Sequence, residues 1–420
     1  MDQIRVRTTG IALFGTLSVL AWGTTAPAAV TDRLPEIHGF VQAHAAARLG
    51  SVECAPRTTC SWPYNEQRLQ LKTEGDGLED ALGYAAKLDL LHDAALGNLE
   101  LDVRKLHADY NAERFTVRVG RQVVTWGVAD LLFINDTFPK DWVSFFGGLP
   151  LEYLKLGSNA VRLDLFPEFS DLELVLADFR KDRLPDRDRF VLPGPDIPTA
   201  LDEPSGLEAS LRASRHFGSW DAALYFSHTH YRAPALSQEG GRAGGQWRGQ
   251  YPRMNAYGAS LSGSLGSGVL SLETGYYDSI EDRDGTRPAI ENSQTRFLVG
   301  YSRQVAEDTT LGLQAYAEWM HHYDAYRRAL PEGFPRRDEL RTVATLRFTQ
   351  FHIHQTLRLG LFAFWGLSEH DGYIIPSVRY TFSDALWGEV GANLFVGDRA
   401  GQFGALGDDD NLYATVRYAF

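Results

Sequence analysis

The final ten residues, NLYATVRYAF, alternate without a break: Leu412, Ala414, Val416, Tyr418 and Phe420 fall on one face, and Tyr413, Thr415, Arg417 and Ala419 on the other. Successive side chains of a strand point to opposite sides, so this stretch is a strand with one apolar face and one face able to carry charge. A terminal strand of a soluble domain has the same pattern, so the rest of the chain must decide between that and a strand facing lipid.

At the other end, Arg5 and Arg7 precede an apolar run from Ile11 to Trp22, and Ala26-Pro27-Ala28 follow as small residues. This is the build of a secretory signal peptide over residues 1–28, too short for a stop-transfer helix. Residues 29–420 are then the mature chain. No later stretch reaches the roughly 18 to 20 apolar residues of a spanning helix. Losing Arg5, Arg7 and Asp2 takes the net charge from −13 to about −14, and an acidic chain is a poor partner for nucleic acid. The two cysteines, Cys54 and Cys60, are expected to form a small disulfide loop in an oxidising compartment. Neither has haem or zinc-finger spacing, and no cofactor or metal is expected.

From Glu36 onward the chain divides into segments of about ten residues, many of them alternating. Their connections are of two kinds. Short turns fall at Pro167 to Asp171, Phe217 to Trp220, Leu265 to Gly268, Val305 to Asp308 and Ser383 to Ala385. Long polar loops fall between them, at Lys181 to Ser205, Arg232 to Tyr251, Ser279 to Glu291, Tyr323 to Asp338 and Asp398 to Asp409. Short turns on one rim and long loops on the other describe an all-β, closed antiparallel transmembrane barrel, and a soluble sandwich has no reason to sort its loops by length. The count is about eighteen strands (about 16 to 18), with FTQFHIHQ at Phe348 to Gln355 readable as a turn or a strand end. Gly, Tyr, Phe and Trp are abundant and Met is scarce, which suits strands, tight turns and aromatic girdles.

Leu311, Leu313, Ala315, Ala317 and Trp319 form one outward row, and Leu357, Leu359, Leu361 and Ala363 another. The opposite parity carries both signs of charge: Arg104, Arg118, Arg162, Arg212, Glu273, Arg296, Glu318, Arg341, Arg347, Arg358, Arg379, Glu389 and Arg417. Unpaired charge is too costly for a dry core, so these residues are expected to line a water-filled or loop-filled lumen. Arg296, Arg341, Arg347, Arg358, Arg379 and Arg417, on successive strands, are expected to share one sector of the wall. Arg121 has outward parity; either Gly120 before it supplies a bulge that turns it inward, or its side chain snorkels to the rim.

A connection at residues 128–158, far longer than a hairpin needs, carries Phe133, Phe138, Trp142, Phe145, Phe146 and Tyr153. So much aromatic surface argues against disorder. It is expected to fold inward as a constriction loop or short plug.

The stretch GRQVVTWG, with Gly120, Arg121, Gln122, Trp126 and Gly127, resembles a family of large proteobacterial outer-membrane barrels of unsettled substrate that carry GRQ and then WG. A weaker likeness is to the alginate-export barrels. The closing Phe420, with Tyr418 two places before it, likewise resembles the signal that such barrels show their assembly machinery. Where those relatives commonly have an acidic residue after WG, this chain has Val128, with Asp130 close by. The resemblance implies an outer-membrane channel in contact with lipid, and carries over no catalytic residue.

Three functions fit this reading. One is a passive, porin-like channel for small solutes, with the arginines and the aromatic loop favouring organic or fatty acids that have an apolar body and a negative end. Another is a sleeve or export channel for a periplasmic partner or polymer. The third is a lipid-active enzyme, for which His228 with His230 and His352 with His354 are the candidate histidine pairs. The channel is the expectation.

Overall fold

A computed structural model describes residues 36–50, 59–77, 81–194, 199–238 and 246–420. The expected signal segment and Cys54 lie outside these residues, and the Cys54 to Cys60 bond with them.

Eighteen strands form one sheet, each antiparallel to its neighbours in chain order. The first, His38–Arg48, pairs on one side with Tyr64–Gly77 and on the other with the last, Asn411–Ala419, which closes the ring. Closure leaves no sheet edge at the seam, the requirement for crossing hydrocarbon. No helix among the described residues is long and apolar enough to cross a membrane. Three short strands, Thr199–Asp202, Ala235–Gln238 and Trp247–Gln250, form a separate small sheet among the loops.

The connections sort by rim. Ala112 to Phe115, Phe217 to Trp220, Leu265 to Gly268 and Thr381 to Leu386 are tight and lie at one end. FTQFHIHQ is both a strand end and a turn. Strand Leu340–His352 runs out there, and Ile353, His354 and Gln355 take positive φ to reverse the chain. On the other rim the loops are long, with two exceptions that the sorting by length did not foresee: Asp93 to Asn98 and Gly366 to Asp371 are short hairpin turns.

The outer face is apolar, with Leu224, Leu313, Val299 and Val416 about half exposed or more. At its loop end a row of rings runs from strand to strand, Phe226 to Tyr257 to Tyr276 to His321 to Trp319, with centroids 5.0 to 6.4 Å apart. At the turn end Phe166, Phe169, Phe217 and Phe382 are exposed. Rings at both ends of an apolar band are the anchors of a membrane barrel at its two interfaces.

The expected bulge at Gly120 is absent. Pairing runs without slippage from Phe115 to Arg121 on one side and to Gln122 on the other, and Arg121 stays opposite Leu106 and Asn159 on the exposed face. The register slips instead at Arg104, which is skipped between Lys105 opposite Lys87 and Val103 opposite Leu88. Gly120 serves a different purpose. Its φ is +127°, and a Cβ there would collide with the Leu106 carbonyl oxygen, so only glycine keeps the ladder unbroken. Gly120→Ala is expected to destabilise the barrel by about 2 kcal/mol or more, read as a lower urea midpoint in lipid vesicles.

Candidate functional site

After Gln122 the chain leaves the wall and returns at Ser158. It turns inward because the next alternating residues are large and apolar. Val124 and Trp126 pack against Phe138, Val175 and Tyr225, where small side chains at Ala160 and Ala177 leave room. Trp126 Nε1 donates to Glu173 at 3.0 Å, so the indole ring is both packed and polar-satisfied.

The returning segment is held from several sides. Glu273 accepts hydrogen bonds from the backbone N–H groups of Val128, Ala129 and Asn135 at 2.9, 3.0 and 2.8 Å, and from the Asn135 side chain at 2.9 Å. One buried carboxylate is thereby neutralised by oriented backbone dipoles, which offsets its desolvation. Gly258 on the facing strand permits this approach, since a Cβ there would overlap Asn135 Oδ1. Gln314 exchanges hydrogen bonds with the Asp130 backbone, Tyr277 donates to Ile134 O, Tyr64 to Val143 O and Tyr373 to Phe145 O. These partners come from four strands of the wall, Tyr64–Gly77, Gly268–Ser279, Thr309–Met320 and Asp371–Thr381.

At the centre is the short helix Trp142–Phe146, capped by Asp141, whose carboxylate accepts from Ser144 N and Ser144 Oγ at 2.8 Å each. Phe145 and Phe146 project onto inward-facing Phe364, Tyr373 and Phe395, with ring centroids 5.4 to 6.2 Å apart. Phe133 stands edge-on to Trp142 and receives Lys140 Nζ 4.3 Å from its ring centre. Phe138 belongs to the Trp126 group instead. Tyr153 lies beneath the guanidinium groups of Arg68 and Arg104, which sit 4.0 and 4.8 Å from its centroid. Burial pushes Lys140 below the ordinary lysine range, against the pull of Asp136.

The wall charges divide into groups. Arg118 binds Asp109 through two hydrogen bonds, and Arg162 and Arg212 share Glu173. Arg104 donates to the carbonyls of Glu152 and Lys155. The six arginines expected in one sector separate by height. Arg296 pairs with Glu318 at 3.3 Å, and Arg341 with Glu369 at 3.0 Å, near the loop rim. Arg347 meets Asp130 of the inner segment at 2.7 Å. Toward the turn rim, Arg358 and Arg379 share Glu389, both at 2.7 Å, and Arg417 shares Glu152 with Lys87 at 2.7 and 3.0 Å.

Sequence parity pointed to the arginines and overlooked the lysines beside them. Lys72 lies directly opposite Lys87, and Lys87 opposite Lys105, on three adjacent strands. The inward parity of Lys72 with Arg68 and Gln70 could have revealed this row. His228 bonds Asn255 and His230 bonds Glu208 at the loop rim, whereas His352 and His354 lie at the turn rim, so the two pairs do not meet. Among the described residues no three His, Cys, Asp or Glu side chains are placed to hold a metal.

A closed ring of eighteen antiparallel strands, apolar outside and charged within, is the architecture of a bacterial outer-membrane barrel. Known structures agree. Acinetobacter baumannii OccAB4 superposes with a TM-score of 0.57 at 10% identity, over 91% of this chain and 97% of its own. Pseudomonas aeruginosa OccK8 (OprE) gives 0.56 at 11% identity, and OccK5 (OpdH) 0.55 at 10%, each over 91% of this chain and 97% of theirs. Identities this low establish the fold alone. No curated protein matches the sequence. Residues 98–420 match the family described as "Protein of unknown function (DUF1302)", and the chain belongs to that family.

Removing the carboxylate that holds the inner segment tests its anchoring. Glu273→Ala is expected to raise amide exchange at Val128, Ala129 and Asn135 by about tenfold or more while strand amides keep their protection. Hydrogen exchange with fragment mass spectrometry reads this directly.

Proposed function

We propose that the protein is a passive outer-membrane channel in which the segment 128–158 narrows the bore, and that it favours small solutes with an apolar body and a negative end, organic or fatty acids among them. One observation carries the preference for anions. Below the inner segment, among the described residues, Lys87, Arg358, Arg379 and Arg417 share two carboxylates, Glu152 and Glu389. Each carboxylate balances one cation, so positive charge remains on that stretch of wall. Lys72 and Lys105 flank Lys87 on the neighbouring strands and carry the row of cations around the lumen, with Glu74 meeting Lys72 at 2.7 Å. The arginines also lie over rings, Arg379 3.9 Å from the Trp387 centroid and Arg417 3.8 Å from that of Phe40. Guanidinium groups held flat against aromatic faces lose little further entropy when they bind a carboxylate, and the rings offer surface to its apolar part.

The similarity of the fold to outer-membrane channels supports a channel over an enzyme. The net charge of −13 for the whole chain bears on the mouths rather than on this inner sector, because screening confines such fields to about 8 to 10 Å.

The test is the reversal potential across a salt gradient in planar bilayers. Arg379→Ala combined with Arg417→Ala is expected to lower the anion-to-cation permeability ratio about threefold or more and to reduce the flux of organic carboxylates relative to amines. Unchanged selectivity in the double variant rules out the charge-selective part of the proposal.

A further inference from the structure

On the outer face, two cations are left over by the channel. Arg121 and Arg180 form no ion pair with a carboxylate among the described residues, and Arg121 Nε is buried with no hydrogen-bond partner. Arg121 faces outward, opposite Leu106 and Asn159. Arg180, two residues past the strand Asp171–Asp178, donates to Gly157 O, and Gly157 also lies against the Arg121 side chain. The Arg180 guanidinium and the Arg121 stem therefore meet at Gly157, close enough for the Arg121 charge to act on Arg180. Burial first, and then the Arg121 charge, push the Arg180 pKa down to about 10, as two like charges in a half-dry site require. The carboxylate acting on both is Asp102, which belongs to the inner wall and lies 3.8 Å from Arg104. Asp178, on the outer face, is engaged by Asn159 at 3.4 Å.

The wall is cut low at this point. Strands Phe115–Gln122, Ser158–Leu165 and Asp171–Asp178 each have 8 residues, whereas Asn98–Ala112 has 15. The upper part of that long strand, Asn98 to Lys105, has no strand partner on this side among the described residues. Beneath the two arginines the surface is apolar, with Leu106, Val119 and Val161 exposed to 55, 52 and 43%. A notch at the loop rim thus presents paired cations above an apolar wall.

We propose that this notch binds the phosphate headgroup of an anionic lipid in the outer leaflet, with Arg121 and Arg180 on the phosphate and an acyl chain along Leu106, Val119 and Val161. An ordinary interfacial arginine reaches water alone; two that converge without a counter-ion call for a dianionic or bidentate partner, and phosphate fits the guanidinium fork. The apolar face below selects a lipid over a soluble phosphate. This site is separate from the bore and does not depend on the channel's selectivity.

The experiment is native mass spectrometry of the full detergent-folded barrel titrated with a phosphorylated lipid A, the same lipid after dephosphorylation, phosphatidylethanolamine, and inorganic phosphate. Wild type is expected to retain the phosphorylated lipid, and Arg121→Gln with Arg180→Gln to lose about tenfold or more of that affinity. Arg121→Lys is expected to recover part of it. Equal retention by wild type and double variant overturns the proposal. So does equal binding of the dephosphorylated lipid or phosphatidylethanolamine. Inorganic phosphate binding as tightly as the lipid also overturns it, because the acyl contact then contributes nothing. Heat-modifiable mobility on gels confirms folding of each variant, and Arg180→Gln alone, outside any strand, tests the site if the double variant fails to fold.

Discussion

The structure depends on the rule that no backbone polar group can be left unpaired in hydrocarbon. Closing His38–Arg48 on Asn411–Ala419 satisfies that rule at the seam, and it also creates an interior that must be filled or wetted. Because alternate side chains point inward, the chain can place charge there without exposing it to lipid. The outer apolar face and the inner charged one are thus two halves of one constraint. Trp126, Tyr64 and Tyr373 show its extension to the interior, each polar atom on a ring finding a carbonyl or carboxylate partner.

The inner segment meets the same constraint by different means. Residues 123–157 lie outside the sheet: from Asp141 onward their N–H groups are met largely by backbone carbonyls of the segment itself and of Arg183, whereas those of Val128, Ala129, Asp130 and Asn135 are met by wall side chains. Glu273 is the strongest case, because a carboxylate that collects three backbone donors and an amide gains charge-assisted hydrogen bonds where a neutral acceptor would not. The aromatic groups of helix Trp142–Phe146 then pack on Phe364, Tyr373 and Phe395 and fix its position. Polar anchoring and ring packing act on the same segment from different strands of the wall, which is why so long a connection can be ordered.

Local charge balance matters more here than total charge. The wall is mostly neutralised by pairs such as Arg296 with Glu318 and Arg118 with Asp109, and its imbalance appears where cations share a carboxylate. A second imbalance lies outside, at Arg121 and Arg180. Both are invisible to a sum over the sequence, since they depend on which side chains meet across strands.

Period-two alternation, sorted connections and closing strand determined the barrel, its approximate strand count and the inward parity of the arginines, because a strand's two faces are set by position alone. Length and aromatic content, rather than alternation, marked the connection at 128–158 as one expected to fold inward. Register and partner were settled only by tertiary structure. Gly120 reads equally as a bulge or as a strained ladder position, and the slip falls at Arg104 instead. The six arginines share parity, yet they sit at different heights, because strand tilt and pairing offsets convert equal parity into unequal depth. Which carboxylate each one meets, and which are left with none, depends on distances between residues hundreds of positions apart, as for Arg347 and Asp130. That information exists only once the ring has closed.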